Sequence, residues 1–259
     1  MRPVFCKTRR DAVLSATHMS FTGKVAVLTG ASSGIGRSIA ESLAQTGASL
    51  CLTGRKIGLL KEIIEDMQTS LPFAAAYESD LLIDEHIYSL RDRIHDDLGH
   101  VDILIHCAGA FSMGSFENSK IEDFDALYKI NVRAPFLLTK VLLPMIKDRK
   151  GQVVFINSTA GHSAGKNVSQ YAATKHALKA IADSLRAEVN ESGVRVLSIY
   201  PGRTATPMQE NIHNMENRRY NPQKLMQPAD VANAVINALA LPRSAEITDI
   251  NIRPMMKPE

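Results

Sequence analysis

The sequence predicts an α/β fold in which a single doubly wound, mostly parallel sheet of about seven strands carries helices on both faces. Short apolar segments alternate with amphipathic segments of helical length from Lys24 onward, which is typical of parallel strands joined by crossover helices. Right-handed crossovers distribute such helices over both faces of the sheet. No stretch of linker composition interrupts the alternation, and we therefore predict one domain over 21–259.

Each predicted strand is a run of apolar residues that ends at a polar or small residue. In chain order the strands read KVAVLTG, SLCLTG, FAAAYESD, VDILIHCAG, GQVVFINS, VRVLSIYPG and EITDINI. The predicted helices share apolar residues three and four positions apart. In chain order they read GIGRSIAESLAQTG, KIGLLKEIIEDMQ, IDEHIYSLRDRIHDDLG, KIEDFDALYKINVRAPFLLTKVLLPMIK, QYAATKHALKAIADSLRAEVNESG and PADVANAVINALALP. The stretch 203–226 is rich in loop-forming residues, and we predict a loop there.

Charge is balanced over the body of the chain. The 259 residues include 30 Lys and Arg against 27 Asp and Glu, a net charge of +3. Residues 1–20 contain that whole excess, so the rest of the chain offers no basic face to nucleic acid. We predict a basic, disordered extension over 1–20; a short targeting peptide and a true start at Met19 are the alternatives.

Composition argues against both a membrane span and a disulfide framework. No apolar run approaches the ~18 residues that a spanning helix needs. The three cysteines, Cys6, Cys51 and Cys107, are scattered and show no metal or redox spacing, which suits a reducing cytosol. We therefore expect a cytoplasmic protein with no metal site and no membrane partner.

The segment TGASSGIG, residues 29–36, places three glycines where the first strand gives way to the first helix. Glycine permits a sharp turn and lets a ligand approach the backbone closely, and a helix start offers free N–H groups to a phosphate. A Walker A loop is excluded, because Arg37 stands where its lysine should be. The segment indicates a phosphate-binding turn, with a plain tight turn as the alternative.

Further motifs follow this turn in register. In chain order they are Asp80, Cys107–Gly109, Asn131, Ser158, YAATK with Tyr171 and Lys175, and Pro201–Gly202. Together with T-G-x-x-x-G-x-G, and with Tyr171 thirteen residues after Ser158, they make the chain from about Phe21 resemble the classical short-chain dehydrogenases/reductases. That family has a Rossmann fold, so the resemblance agrees with the fold predicted above.

The resemblance implies hydride transfer between a nicotinamide dinucleotide and a carbonyl or secondary alcohol. It places the cofactor on the glycine turn and at the ends of the following strands, with Asp80 against the adenine ring. The implied cofactor contacts are Gly30, Ser32, Ser33, Gly34, Ile35, Gly36, Arg55, Asp80, Leu81, Ala108, Gly109, Asn131, Tyr171, Lys175, Pro201, Gly202, Thr204 and Thr206.

The residue that follows the second strand predicts NADP rather than NAD. NAD-specific folds place an acid about twenty residues past the glycine turn, where it binds the ribose 2′-hydroxyl. Here that position is Arg55, and no acid lies between Ser49 and Lys61. An arginine can pair with a 2′-phosphate, and Lys56 adds a second positive charge. Use of both cofactors, with Arg55 merely solvated, is the alternative.

Four residues carry the implied chemistry. Tyr171 and Lys175 are four positions apart and share one helix face. We expect the lysine and a cationic nicotinamide to lower the tyrosine pKa toward 7, which takes about 4 kcal/mol, so that Tyr171 exchanges a proton with the substrate. By the resemblance, Ser158 binds the same substrate oxygen and Asn131 keeps open a water route to the lysine.

Three histidines lie near these residues in the sequence, and one of them, His106, belongs to a departure from the family pattern. The family has two asparagines where this chain has His106 and Cys107, which places local hydrogen bonding in question but not catalysis. His162 follows Ser158 and is a candidate substrate contact. His176 follows Lys175 and is expected to serve packing or an interface.

The substrate and the assembly are less constrained. The pocket is expected to form from 110–118, 159–169 and 203–226, and its composition fits a small polar substrate or an aromatic ketone equally. The alanine-rich helix from Gln170 favours a homotetramer or homodimer. A non-catalytic nucleotide-sensing scaffold and a sugar-nucleotide epimerase or dehydratase are the alternative functions.

Overall fold

The computed structural model describes residues 19–67 and 72–256. Apart from its last two residues, the predicted basic extension 1–20 lies outside the described residues. Within the described ranges, no helix is long and apolar enough to cross a membrane.

The structure is a seven-stranded sheet in which every pair of neighbouring strands is parallel. The strands are β1 (Val25–Thr29), β2 (Ser49–Gly54), β3 (Ala74–Glu78), β4 (Ile103–His106), β5 (Gln152–Ile156), β6 (Arg195–Pro201) and β7 (Asp249–Ile252). The strand order is β3-β2-β1-β4-β5-β6-β7, which confirms the predicted doubly wound topology.

Helices cover both faces of this sheet and form two separate apolar cores with it. The helices are α1 (Gly34–Gln45), α2 (Ile57–Met67), α3 (Asp84–Leu98), α4 (Ile121–Tyr128), α5 (Ala134–Asp148), α6 (Ser169–Val189), α7 (Pro207–Met215) and α8 (Pro228–Leu239). One core joins α1, α2 and α8 to the sheet, and the other joins α3, α5 and α6 to the opposite face. The central strands β1 and β4 are buried along their whole length because both of their faces are covered.

The point where the strand order reverses positions the site. From β1 the chain moves outward to β2 and β3 and then returns to β4 on the other side of β1. The loops that follow β1 and β4 therefore diverge and leave a crevice at the carboxyl ends of the strands.

Two elements differ from the predictions. The long fourth helix is interrupted by a π-helical turn, Lys129–Arg133, between α4 and α5. The predicted loop 203–226 contains α7, whose start is well defined: Thr206 accepts a hydrogen bond from the Gln209 N–H (3.1 Å), and Pro207 occupies the first turn. The Thr206 cap and Pro207 are local signals for the start of a helix, and they outweigh the loop-like composition of the surrounding residues.

A buried carboxylate ties the amino-terminal ends of the central strands together. Asp102 is 3% exposed and accepts hydrogen bonds from Lys24 Nζ (2.9 Å), the Val25 N–H (3.0 Å) and Arg149 Nε (3.2 Å). Burial alone would raise the pKa of Asp102, but these donors and the two positive charges outweigh burial and hold the pKa below its ordinary value. The ionised carboxylate thus stabilises the junction of β1, β4 and the end of α5.

We expect Asp102→Asn to lower the free energy of unfolding by about 2 kcal/mol at pH 7, because three hydrogen bonds to a charged acceptor are weakened. The native pKa of Asp102 is depressed, so its contribution is present above the unfolded-state pKa of ~3.9 and is lost as pH falls through the native pKa. Urea unfolding at pH 7 and at pH 3 measures both effects, and the difference from wild type should shrink at pH 3.

Asp92→Asn is the matched control, because Asp92 is an exposed carboxylate on α3 paired only with its neighbour Arg91 in the described contacts. Its effect should stay within about 0.5 kcal/mol at both pH values. An Asp102→Asn effect of the same size at pH 7 and pH 3 would contradict the electrostatic explanation.

Candidate active site

The glycine turn is held directly against the end of β4. Gly30 has a positive φ of 72°, and a Cβ built on it would lie 2.6 Å from the Ala108 nitrogen, so no larger residue fits. The Thr29 hydroxyl oxygen accepts hydrogen bonds from the N–H groups of Cys107 and Ala108, both at 3.1 Å. The ends of β1 and β4 thus form one rigid base for the crevice.

The first turn of α1 is open to an anion. Ser33 is the N-cap, yet in the described structure its side chain makes no capping hydrogen bond, and the first turn of α1 contains no acid. The Ser33 side chain is exposed, Ser32 and Ile35 are partly exposed, and Gly36 is packed against the Gly30 carbonyl. The turn therefore presents a helix N-terminus and hydroxyl groups without a competing internal partner.

Arg55 and Asp80 line one cleft of about 460 Å³ beside the ends of β2 and β3. Arg55 is exposed, whereas Leu81 is buried against the core. The Asp80 carboxylate accepts a hydrogen bond from the Leu82 N–H (3.0 Å), and the Asp80 N–H donates to His86 Nδ1 (3.2 Å). The other lining residues are Glu78, His86, Ser89 and Arg93.

The segment after β6 closes over the glycine turn. Thr204 is buried, donates to the Gly202 carbonyl (3.1 Å) and forms a bridge to Met226. Beyond it the Thr206 methyl group lies 2.9 Å from where a Cβ on Gly34 would be. The chain thus leaves β6 at Pro201, passes Gly202 and reaches Thr206, which touches the glycine turn.

Ser158, Tyr171 and Lys175 are brought together where β5 meets α6. Lys175 is buried; its Nζ lies 5.8 Å from the Tyr171 ring centre and donates to the Ile156 carbonyl (3.2 Å). Ser158 begins a 3-10 turn, and its Oγ accepts a hydrogen bond from the Ala160 N–H (3.1 Å). The Ser158 hydroxyl lies near enough to Tyr171 to influence its pKa.

The electrostatics of these groups differ from the expectation for the tyrosine. Burial raises the pKa of Tyr171 above its ordinary value, and the Ser158 hydroxyl opposes this only in part. Burial also lowers the pKa of Lys175 to about 8, with the nearby Cys107 acting in the opposite direction. Burial is therefore the largest influence on the Tyr171 pKa among the described groups.

Asn131 lies in the π-helical turn and holds the loop after β4. Its Oδ1 accepts from the Ala110 N–H and its Nδ2 donates to the Ala110 carbonyl, both at 2.9 Å. The same Nδ2 donates to Thr174 Oγ1 (3.1 Å) on α6, and Thr174 donates to the Tyr171 carbonyl (2.7 Å). The wider turn aims the buried asparagine at two elements at once.

Three residues of this region were not among the candidate site residues, although Phe111 lies in the predicted pocket segment 110–118 and Thr174 in the YAATK motif. Phe111 packs edge-on against the Tyr171 ring with centres 4.8 Å apart. Asn157 is buried directly before Ser158 and donates to the Lys175 carbonyl (3.1 Å). Thr174 adds the link to Asn131. The available signal for Asn157 was a polar residue at the end of a buried strand. No sequence pattern sets Phe111 apart from the other residues of the predicted pocket segment 110–118.

His106 is an internal packing residue. Its Nε2 shares a hydrogen bond with Thr139 Oγ1 (2.7 Å), and its ring stacks on Phe155 at 4.9 Å. Burial lowers the pKa of His106 to about 3, so the ring is neutral. Across 19–67 and 72–256, no cluster of three or more His, Cys, Asp or Glu side chains could hold a metal.

His162 and His176, the other two histidines considered in the sequence analysis, are exposed at the surface near Tyr171. His162 is exposed, and its ring centre lies 3.9 Å from that of Tyr200. His176 Nδ1 donates to the Ala172 carbonyl (2.8 Å) on its own helix and is exposed. His176 was expected to serve packing or an interface; its exposure argues against packing inside the subunit, and an interface role stays a prediction.

Comparison with known proteins agrees with this arrangement. The family model described as short chain dehydrogenase matches residues 24–217. An uncharacterized oxidoreductase of Staphylococcus epidermidis is 33% identical over 233 residues, which cover 90% of this chain and 97% of that protein.

Solved structures of related enzymes superpose closely. An alcohol dehydrogenase from the archaeon Thermococcus sibiricus, complexed with 5-hydroxy-NADP, has a TM-score of 0.82 at 25% identity and covers 91% of this chain and 99% of that one. A 7α-hydroxysteroid dehydrogenase complexed with NADH and 7-oxo glycochenodeoxycholic acid has a TM-score of 0.81 at 26% identity and covers 90% and 94%. This chain therefore belongs to the short-chain dehydrogenases/reductases, a family of oxidoreductases that use NAD(P) cofactors.

Proposed function

We propose that this protein transfers a hydride between NADP(H) and a carbonyl or secondary alcohol, with Tyr171 as the proton donor and acceptor. The observation that carries this proposal is the convergence of Ser158, Tyr171 and Lys175 at the carboxyl edge of the sheet that also holds the glycine turn. Family membership supports the reaction class.

The crevice fits a dinucleotide. The absence of an internal cap on the first turn of α1, within the described structure, leaves its N–H groups to a pyrophosphate, and Ser32 and Ser33 add hydroxyls. The exposed Arg55 would pair with a ribose 2′-phosphate, while Asp80 and Leu81 would flank the adenine. Bound there, the nicotinamide supplies or accepts the hydride. The remaining contacts in this proposal are Gly30, Gly34, Ile35, Gly36, Ala108, Gly109, Asn131, Lys175, Pro201, Gly202, Thr204 and Thr206.

The protonation state of Tyr171 suits proton donation. Because burial raises its pKa, the phenol is protonated at neutral pH and can donate to a carbonyl oxygen as that oxygen gains charge. Ser158 accepts from the Ala160 N–H through Oγ, which leaves its own proton for the same oxygen. Alcohol oxidation needs the deprotonated phenol, so that direction gains as the pH rises.

The two cysteines in the described ranges support a cytoplasmic location. Cys51 and Cys107 are both free thiols. Burial raises the pKa of each to about 12, so neither thiol is primed for disulfide exchange. Free thiols of this kind are typical of a reducing compartment.

A stripe of small residues on α6 supports a homo-oligomer. Ala173 and Ala180 are exposed and Ala177 is partly exposed, at spacings that share one helix face, whereas Ala172 and Ala182 pack inside the subunit. Small side chains let two helices approach closely. We propose that this face contributes to a dimer or tetramer.

Replacing Tyr171 with Phe should lower kcat by about 10²- to 10⁴-fold, because it removes the proton-transfer group and little else. The measurement is turnover of a panel of aldehydes and ketones with NADPH, together with NADPH affinity by fluorescence titration, which should stay near wild type. Tyr88→Phe, an exposed tyrosine on α3, is the control. A kcat near wild type in Tyr171→Phe would refute the mechanism.

The wild-type protein should prefer NADPH to NADH, and Arg55→Asp should reduce the ratio of kcat/KM for NADPH over NADH by about 10- to 150-fold. The loss reflects one charge-assisted contact to the 2′-phosphate. Arg243→Asp replaces an exposed arginine near the opposite edge of the sheet and should leave the ratio unchanged. A wild-type preference for NADH, or an unchanged ratio in Arg55→Asp, would rule out the assignment.

Light scattering at micromolar concentration should give the mass of a homotetramer or homodimer. The physical reason is the exposed alanine face of α6, which allows close helix packing between copies. A monomer at that concentration would contradict this proposal.

A further inference from the structure

Asn157 joins three elements at the carboxyl edge of the sheet. It follows the last residue of β5, is 4% exposed, and its N–H donates to the Ile199 carbonyl of β6 (2.7 Å). Its side-chain Nδ2 donates to the Lys175 carbonyl of α6 (3.1 Å). This contact sets the orientation of the amide, because a carbonyl can only accept and only the NH₂ end of an amide can donate. The buried side chain therefore holds α6 against the ends of β5 and β6.

Lys175 is held at its backbone and at its ammonium by two consecutive residues. The Ile156 carbonyl accepts a hydrogen bond from Lys175 Nζ (3.2 Å), and Asn157 binds the Lys175 carbonyl. Because Ile156 and Asn157 are neighbours at the end of β5, these two contacts together restrict the conformation of the lysine side chain. Its ammonium is thereby kept 5.8 Å from the centre of the Tyr171 ring.

The 3-10 turn after Ser158 closes over these contacts. Its last residue, Gly161, is buried, and the Gly161 N–H donates to the Ser158 carbonyl (2.8 Å). A Cβ built on Gly161 would lie 2.8 Å from Asn157 Oδ1 and 3.0 Å from the Lys175 carbonyl oxygen. These distances leave no room for a side chain at Gly161. The turn, the asparagine and the lysine backbone are therefore packed as one unit next to Ser158.

Gln152 offers a comparison at the opposite end of the same strand. It is the first residue of β5, is 8% exposed, and its Nε2 donates to the Leu239 carbonyl at the end of α8 (3.1 Å). Gln152 and Asn157 thus make the same kind of contact, from a buried side-chain amide to a helix carbonyl. They differ in place, since Asn157 alone of the two adjoins Ser158 and Lys175. A role in the site should therefore belong to Asn157 and be absent from Gln152.

We propose that Asn157 is a positioning residue for the proton transfer by Tyr171. It acts through Lys175, whose ammonium it keeps beside the tyrosine ring, and not by contact with the substrate. This inference rests on the proposed function and adds a residue to the same site. An ammonium at that distance favours the phenolate, which is the form that alcohol oxidation needs. The other groups that influence the two side chains are Ser158 beside Tyr171 and Cys107 beside Lys175.

Asn157→Leu and Asn157→Asp test the inference, because both nearly keep the shape of the side chain and both remove the donor. The measurement is the pH dependence of kcat for a panel of secondary alcohols with NADP⁺ and the full-length protein, divided by the folded fraction. At neutral pH, kcat should fall by about 10- to 100-fold while the KM for the alcohol stays within about threefold. The midpoint of the pH profile should rise by about half a unit to one unit, because a displaced ammonium favours the phenolate less.

Gln152→Leu and Gln152→Glu are the matched controls, because they make the same chemical changes to a buried amide of the same strand. Urea unfolding gives the folded fraction and the free energy of unfolding of all four variants. We expect the Gln152 variants to lose stability as the Asn157 variants do, but to keep the wild-type kcat and pH midpoint per folded molecule. Asn157→Leu introduces no buried charge, so it carries the test if Asn157→Asp does not fold.

The outcomes separate the two proposals. A wild-type protein that oxidises alcohols, together with an Asn157→Leu variant of unchanged kcat and pH midpoint, would overturn the inference and leave the proposed function standing. Equal losses of kcat and equal midpoint shifts in the Gln152 variants would also overturn it, since the effect would then belong to any buried amide of β5. No turnover of any alcohol or ketone by the wild type with either cofactor would overturn the proposed function itself.

Discussion

The close approach of the first and fourth strands at Gly30 is the constraint on which the rest of the site depends. The backbone of Ala108 occupies the space that a side chain at Gly30 would need, and Thr29 binds the N–H groups at the end of β4. This contact exists because the strand order reverses between β1 and β4. It fixes the floor of the crevice before any functional side chain is added.

From that floor, the loop after β4 and a set of hydrogen bonds connect the glycine turn to the tyrosine. The loop after β4 is gripped at Ala110 by Asn131, which also binds Thr174, and Thr174 binds the Tyr171 carbonyl. A π-helical turn supplies Asn131, which reaches both the loop and α6. The position of Tyr171 thus depends in part on residues that are far from it along the chain.

Much of the fold was predictable because strands covered on both faces leave continuous apolar runs, and Tyr171 and Lys175 share a helix face by spacing alone. Helix α7 escaped prediction because it is short and buries two polar residues, Gln209 and His213, so it lacks the regular apolar spacing on which helix prediction relies. The π-helical turn at Asn131 was not predicted because a single such turn leaves no recognisable spacing of apolar residues in the sequence. The direction of the Tyr171 pKa shift depends on burial by elements distant in sequence, which no local pattern reports.

The contact of Thr206 with Gly34 has a thermodynamic consequence. A dinucleotide bound on the glycine turn would lie against the start of α7, because Thr206 touches Gly34. By linkage, any effect of such a ligand on the stability of α7 would be matched by an equal effect of α7 on the affinity for that ligand. A substitution at Thr206 would therefore change cofactor affinity and the stability of the helix together.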